Sequence, residues 1–120
     1  MAASWLRSHG FRILRQRFRY HSGGEVDLVC RDGDTLVFTE VKSSISTQGG
    51  APARRVDRNK RELLRRGARQ WLRLMGRNAM PYRFDIVEVF MQGGKPPQLR
   101  HQPAAFTMQE GAAWAAAHAE

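Results

Sequence analysis

Residues 23–44 read GGEVDLVCRDGDTLVFTEVKSS. Two runs rich in Val, Leu, Phe and Thr flank Asp32-Gly33, and an Asp-Gly step between two such runs is a strong hairpin signal. Residues 25–31 and 35–42 are therefore predicted to pair as antiparallel strands. With Asp32 and Gly33 as the two loop residues, Glu25 faces Glu40 and Asp27 faces Phe38. Side chains alternate along a strand, so Glu25, Asp27, Phe38, Glu40 and Lys42 share one face. Asp27 is then a diagonal neighbour of Glu40.

Three carboxylates on one face of two otherwise apolar strands repel one another, and at least one should have a raised pKa. A divalent cation removes the conflict. Oxygen donors without His or Cys suit Mg²⁺ or Mn²⁺, ions that use one or two carboxylates together with water and substrate phosphate. Lys42, two residues after Glu40, reaches the same point, where it could orient an attacking water or offset charge developing on a phosphoryl oxygen. Asp27, Glu40 and Lys42 thus form a candidate centre for phosphodiester hydrolysis. Glu-x-Lys alone is a weak signal; the Asp thirteen positions upstream strengthens it against the competing reading, a surface salt-bridge cluster.

Outward from the hairpin, the chain predicts a helix over residues 2–8, ended by Gly10, and a strand over 11–20, broken by Ser22-Gly23-Gly24. Residues 43–52 form a polar loop. A long helix follows over residues 53–75, with Val56, Leu63, Leu64, Ala68, Trp71, Leu72 and Met75 as its apolar stripe. Gly67 inside it costs about 1 kcal/mol relative to Ala. Residues 82–91, YRFDIVEVFM, read as a central strand, residues 92–98 as a turn and residues 99–106 as a last short strand. The first three strands form an antiparallel meander, and the helix between the third and fourth implies a parallel, right-handed crossover. The class is α/β with a mixed sheet. A single domain spans residues 1–106, and residues 107–120 form an Ala-rich C-terminal extension.

A length of 120 residues suits one modest core. A mean hydropathy of -0.54 and the lack of a long apolar run exclude a spanning helix. The N-terminus lacks a signal-peptide pattern. Cys30 is the sole cysteine, cannot form an internal disulfide, and points away from Asp27 as a buried thiol; a cytoplasmic location is expected. The four histidines lack metal-ligand spacing, and Asp85 is read as a partner of Arg83 or of a helix arginine. The net charge is +9. Residues 54–77 carry nine Arg and one Lys against Asp57 and Glu62, a local +8, so the rest of the chain contributes +1. A solvated helix face usually mixes signs; this one barely does, which points to a phosphate-facing surface. Arg54, Arg58, Lys60, Arg61 and Arg65 are the candidate nucleic-acid contacts.

The segment GGEVDLVCRDGDTLVFTEVKSS resembles the PD-(D/E)xK signature in the form seen in the UPF0102 (YraN-like) family. That family is similar to archaeal Holliday junction resolvases and shares the restriction-endonuclease-like fold, with an α-β-β-β-α-β core. The resemblance extends to GFRIL, to Pro52 with Val56 and Lys60, to YRFDIVEV and to LRHQPAAF. It implies Asp27 and Glu40 as metal ligands for Mg²⁺ or Mn²⁺, Lys42 as the catalytic lysine, Glu25 as a residue that tunes the site, and Lys60 facing the substrate backbone. The implied substrate is nucleic acid, DNA before RNA, and a homodimer is compatible with it. Relatives usually carry a glutamate on the first helix, whereas residues 1–10 contain no acid. Either the natural start lies upstream or a ligand has been lost. The sequence therefore carries three readings: a metal-dependent endodeoxyribonuclease, a nucleic-acid-binding module that no longer cleaves, and a scaffold whose basic helix docks an acidic protein.

Overall fold

A computed structural model describes residues 1–21, 23–45, 58–76 and 80–109. The elements are α1 (Ala2–Ser8), β1 (Arg12–Arg19), β2 (Glu25–Asp32), β3 (Thr35–Ile45), α2 (Arg58–Leu74), β4 (Tyr82–Met91) and β5 (Gln98–Phe106). Arg54, Val56 and the expected helix start at 53 lie outside the described residues, as do residues 110–120.

The strands form one sheet in sequence order, β1-β2-β3-β4-β5. Pairing is antiparallel except between β3 and β4, which run parallel with α2 as their crossover. This is the expected α/β mixed sheet, compatible with a restriction-endonuclease-like core, with β5 as an added antiparallel edge. Alternation along β3 and β4 divides the core in two. Leu36, Phe38, Phe84 and Ile86 pack with Leu64 and Ala68 of α2. Val37, Val87 and Val89 pack on the other face with Ala2 and Leu6 of α1. Of the expected α2 stripe, Leu64 and Ala68 are buried, Leu63, Trp71 and Leu72 are partly buried, and Met75 lies beyond the helix and is 52% exposed.

The hairpin register corrects the expectation. Asp32 pairs with Thr35 and Val29 with Phe38, so the loop residues are Gly33 and Asp34. Gly33 has φ +60, while Asp32 stays extended as the last residue of β2. A two-residue turn can have a left-handed residue at both central positions or only at the first. Here Gly33 takes the first position, and no non-glycine residue is forced into that region. Projected onward, this register sets Asp27 opposite Glu40.

One strand pair changes face part-way. Leu28 packs with the α1 core, whereas Val26, two residues earlier, packs with the α2 core. Their β1 partners are Gln16 and Phe18. Between these partners, Arg17 has φ +55, a conformation costing an L-residue roughly 1 kcal/mol or more. The backbone thus turns over at Arg17 and Asp27.

Gly67 explains itself through packing. A Cβ there would lie 2.8 Å from the Glu25 backbone nitrogen, and one on Gly24 would lie 2.5 Å from the Gly67 nitrogen. Two glycines let the α2 and β2 backbones cross in contact. Helix propensity alone favours Gly67→Ala by about 1 kcal/mol. The clash reverses the sign, and urea denaturation should show Gly67→Ala destabilised by about 1–3 kcal/mol.

Candidate active site

β2 and β3 bring the three acids together where the pair opens. The Asp27 Oδ2 accepts a hydrogen bond from the Val41 N–H at 2.8 Å. Glu40 is 4% exposed, and its carboxyl is pushed up to about 7, first by burial and then by the neighbouring charge of Asp27, against the pull of Lys60. Lys60, reaching from the first turn of α2, places its Nζ 3.4 Å from Glu40 Oε2 and 3.8 Å from Glu25 Oε2. Its own pKa is raised, mainly by Glu40. The Gly24–Gly67 crossing fixes this reach.

The expectation of one common face does not hold for Asp27. Glu25 and Glu40 meet Lys60 on the α2 side, whereas Asp27, at the turnover point, lines a cleft of about 250 Å³ with the start of α1, Gln16, Arg17 and Val41. The register nonetheless sets Asp27 across from Glu40, near enough for its charge to raise the Glu40 carboxyl. Lys42 is half-buried, follows Glu40 by two positions on β3, and among the described residues enters no hydrogen bond or ion pair. The lysine that touches the acids is Lys60.

Sequence reasoning passed over Glu88. It is 4% exposed, pairs in register with Lys42 on the adjacent parallel strand, and among the described residues its Oε1 has no hydrogen-bond partner. The signal in the sequence was an acid inside the otherwise apolar run 86–91; the register that sets it beside Lys42 comes from the packed sheet.

Among the described residues no group of three or more His, Cys, Asp or Glu side chains is arranged to hold a metal ion. The donors present are two opposed carboxylates, one of them buried with the Lys60 ammonium as its positive neighbour. Such a set fits an ion that keeps much of its shell as water and substrate oxygen, as Mg²⁺ does, and does not fit an all-protein cage.

The helix arginines divide. Arg58, Arg66, Arg69 and Arg73 are exposed, and Arg61 is half-buried. Arg65 is 3% exposed, so the expected backbone contact is not available to it. Its Nε donates to the Thr107 carbonyl at 2.8 Å, and its guanidinium lies 5.1 Å from the Phe106 ring centre. It pins β5 to α2. Position 65 falls inside the apolar stripe between Leu64 and Ala68, and that spacing was the available signal.

Across the sheet, Asp85 is fully buried. It accepts from Arg83 Nε at 2.9 Å, His101 Nε2 at 2.7 Å and the Ala104 N–H at 3.0 Å. The expected pairing with Arg83 is present, and His101 is the partner that periodicity did not reveal. Trp5 stacks on His9 at 3.8 Å and meets His101 edge-on. Cys30 is buried, and burial pushes its thiol up to about 11. No helix among the described residues is long and apolar enough to cross a membrane.

Residues 1–89 match the model of the family described as "Uncharacterised protein family UPF0102". The chain belongs to the UPF0102 family. Similar UPF0102 proteins include one from Anaeromyxobacter dehalogenans, 43% identical over 88% of this chain and 78% of the relative. Another, from Geobacter metallireducens, is 36% identical over 90% and 87% of the two chains. A third, from Rhodococcus jostii, is 39% identical over 88% and 89%. The UPF0102 match takes in α1, β1 to β3, α2 and β4 up to residue 89, and so covers Glu25, Asp27, Glu40, Lys42, Lys60 and Glu88.

Proposed function

We propose that the chain is a Mg²⁺- or Mn²⁺-dependent endonuclease that hydrolyses phosphodiester bonds in DNA. The observation that carries this reading is the opposition of Asp27 and the buried Glu40 at the open end of β2 and β3, beside a helix with four exposed arginines. A divalent ion held by Asp27 and Glu40 would polarise the phosphate and lower the pKa of a bound water. Lys42, whose side chain enters no ion pair among the described residues, would steady developing charge on a phosphoryl oxygen. Lys60 holds Glu40 and Glu25 in place through its ammonium. Arg58, Arg66 and Arg73 supply positive charge for the nucleic-acid backbone.

Branched, single-stranded and duplex DNA incubated with the protein in Mn²⁺ should be cut, and Lys42→Ala should lose about 100-fold in turnover while retaining binding. Undiminished cutting by both Glu40→Gln and Lys42→Ala would refute the assigned centre. If only Lys60→Ala is dead, the catalytic lysine is on α2 instead.

A second reading is supported by Lys60 itself. Its ammonium already supplies positive charge between Glu25 and Glu40, and residues 1–10 offer no further acid. On that basis the domain binds nucleic acid without cleaving it. Salt-sensitive binding unaffected by EDTA, with no product in any metal, would favour this reading.

A further inference from the structure

We propose that Arg17 clamps a backbone phosphate of a bound nucleic-acid strand beside Asp27, and that the arginine-bearing edge of β1 carries that strand past the cleft. The inference rests on the nucleic-acid reading above and adds a second contact surface, on a different element from the basic helix.

Four observations meet at this residue. Arg17 is an exposed, non-glycine residue held at φ +55 in the middle of a strand. Such strained positions concentrate at functional sites. The register sets it opposite Asp27, and the two line the same cleft. Its guanidinium enters no hydrogen bond or ion pair among the described residues. β1 is an edge of the sheet, and Arg12, Arg15 and Arg19 are exposed along it.

These observations define the ligand. The cleft, about 250 Å³, is smaller than pockets that enclose a whole small molecule, which start near roughly 300 Å³. It suits one anionic group of a longer chain whose remainder lies outside. Arg15 and Arg19 lie exposed on either side of Arg17 along the same edge strand, where the backbone turns over between them, so positive charge continues along the edge both before and after the cleft. A guanidinium offers a planar fork to phosphate oxygens.

Arg17→Gly separates clamp from scaffold, because glycine accepts the left-handed backbone while removing the side chain and its charge. Asn, which also tolerates that region, gives a second variant should glycine fail to fold. Binding of a labelled single-stranded oligonucleotide, followed by fluorescence anisotropy in EDTA, should weaken roughly tenfold in either variant. The slope of log K against log salt should become shallower by about 0.7, the value for one phosphate contact on a single strand. Lys95→Gln, in the β4–β5 turn on the opposite side of the sheet, removes one charge and should leave both quantities unchanged. Wild-type affinity and slope in both Arg17 variants, or an equal loss in Lys95→Gln, would overturn the clamp. So would loss of poly-glutamate binding in the Arg17 variants with oligonucleotide binding intact, which would make the edge a surface for an acidic protein. Because the assay needs no metal, a protein that fails to cut yet shows these changes refutes the nuclease reading and upholds the clamp.

Discussion

Asp85→Ala is expected to leave the protein unfolded or close to it at room temperature. The carboxylate is fully buried and receives Arg83, His101 and the Ala104 N–H. Removing it leaves the part-buried Arg83 with Asp32, at 3.2 Å, as its remaining carboxylate and takes the acceptor from the His101 ring and the Ala104 N–H, and breaking one side of a buried pair costs about 3–5 kcal/mol. That approaches the lower end of the roughly 5–15 kcal/mol that holds a domain together. The carboxylate also stabilises an irregular stretch of backbone. The β4–β5 register shifts between Phe84 and Ile86, and Ala104 sits at φ +51. Its N–H, turned out of the ladder, has Asp85 as its acceptor. Asp85→Asn keeps an acceptor for Ala104 and should retain part of the stability. Circular dichroism during urea denaturation checks both variants; a loss below about 1 kcal/mol in the alanine protein would show the network to be dispensable.

Glu40→Gln should act in the opposite direction on stability and abolish function. In metal-free wild type the Glu40 carboxyl titrates at about 7, above its ordinary 4.5. Below pH 4.5 folded and unfolded chains both hold the proton. Between 4.5 and 7 the unfolded chain releases it first, so stability falls as pH rises through that window and stays low above it. Glutamine cannot ionise, so the variant should match wild type near pH 4.5 and exceed it by about 3 kcal/mol at pH 8. Thermal melts in EDTA at the two pH values read this directly. Metal-dependent cutting by the same variant should drop by more than about 100-fold, because a bound ion loses one of two protein ligands. A variant that is less stable than wild type at pH 8 would mean that the Glu40–Lys60 pair outweighs the desolvation of Glu40.

The order of elements was legible because each is built from a strong local pattern: alternation in β2, apolar continuity in β4, the 3.6-residue stripe in α2. The parallel crossover followed from the length of the intervening helix. The hairpin register was not legible, because Asp-Gly can supply both residues of a two-residue turn or, as found, only Gly33 from that pair. Nor was the placement of Asp27. Strict alternation assumes a continuous pleat, and the pleat turns over at Arg17, whose left-handed backbone no propensity announces. Charge counting along the chain singled out α2 and concealed β1, because the arginines at 12, 15, 17 and 19 are offset in the sum by the hairpin acids. Space separates those charges; a sum along the sequence does not. Arg65 failed for the converse reason, being counted with the surface although its position lies on the buried face. The Lys60 contact joins residues on α2 to two strands, and only the packed molecule brings them within 4 Å.

The crossing of Gly24 and Gly67 sets how this domain can diverge. Two backbones in contact act as a fixed datum, and neither residue can gain a carbon without displacing the other element. Side chains elsewhere on α2 are free to drift, trading one arginine for another or thinning the apolar stripe, while the first turn of the helix keeps its distance from the carboxylates. Natural variation should therefore be wide along the helix surface and nearly frozen at two positions that have no chemistry of their own.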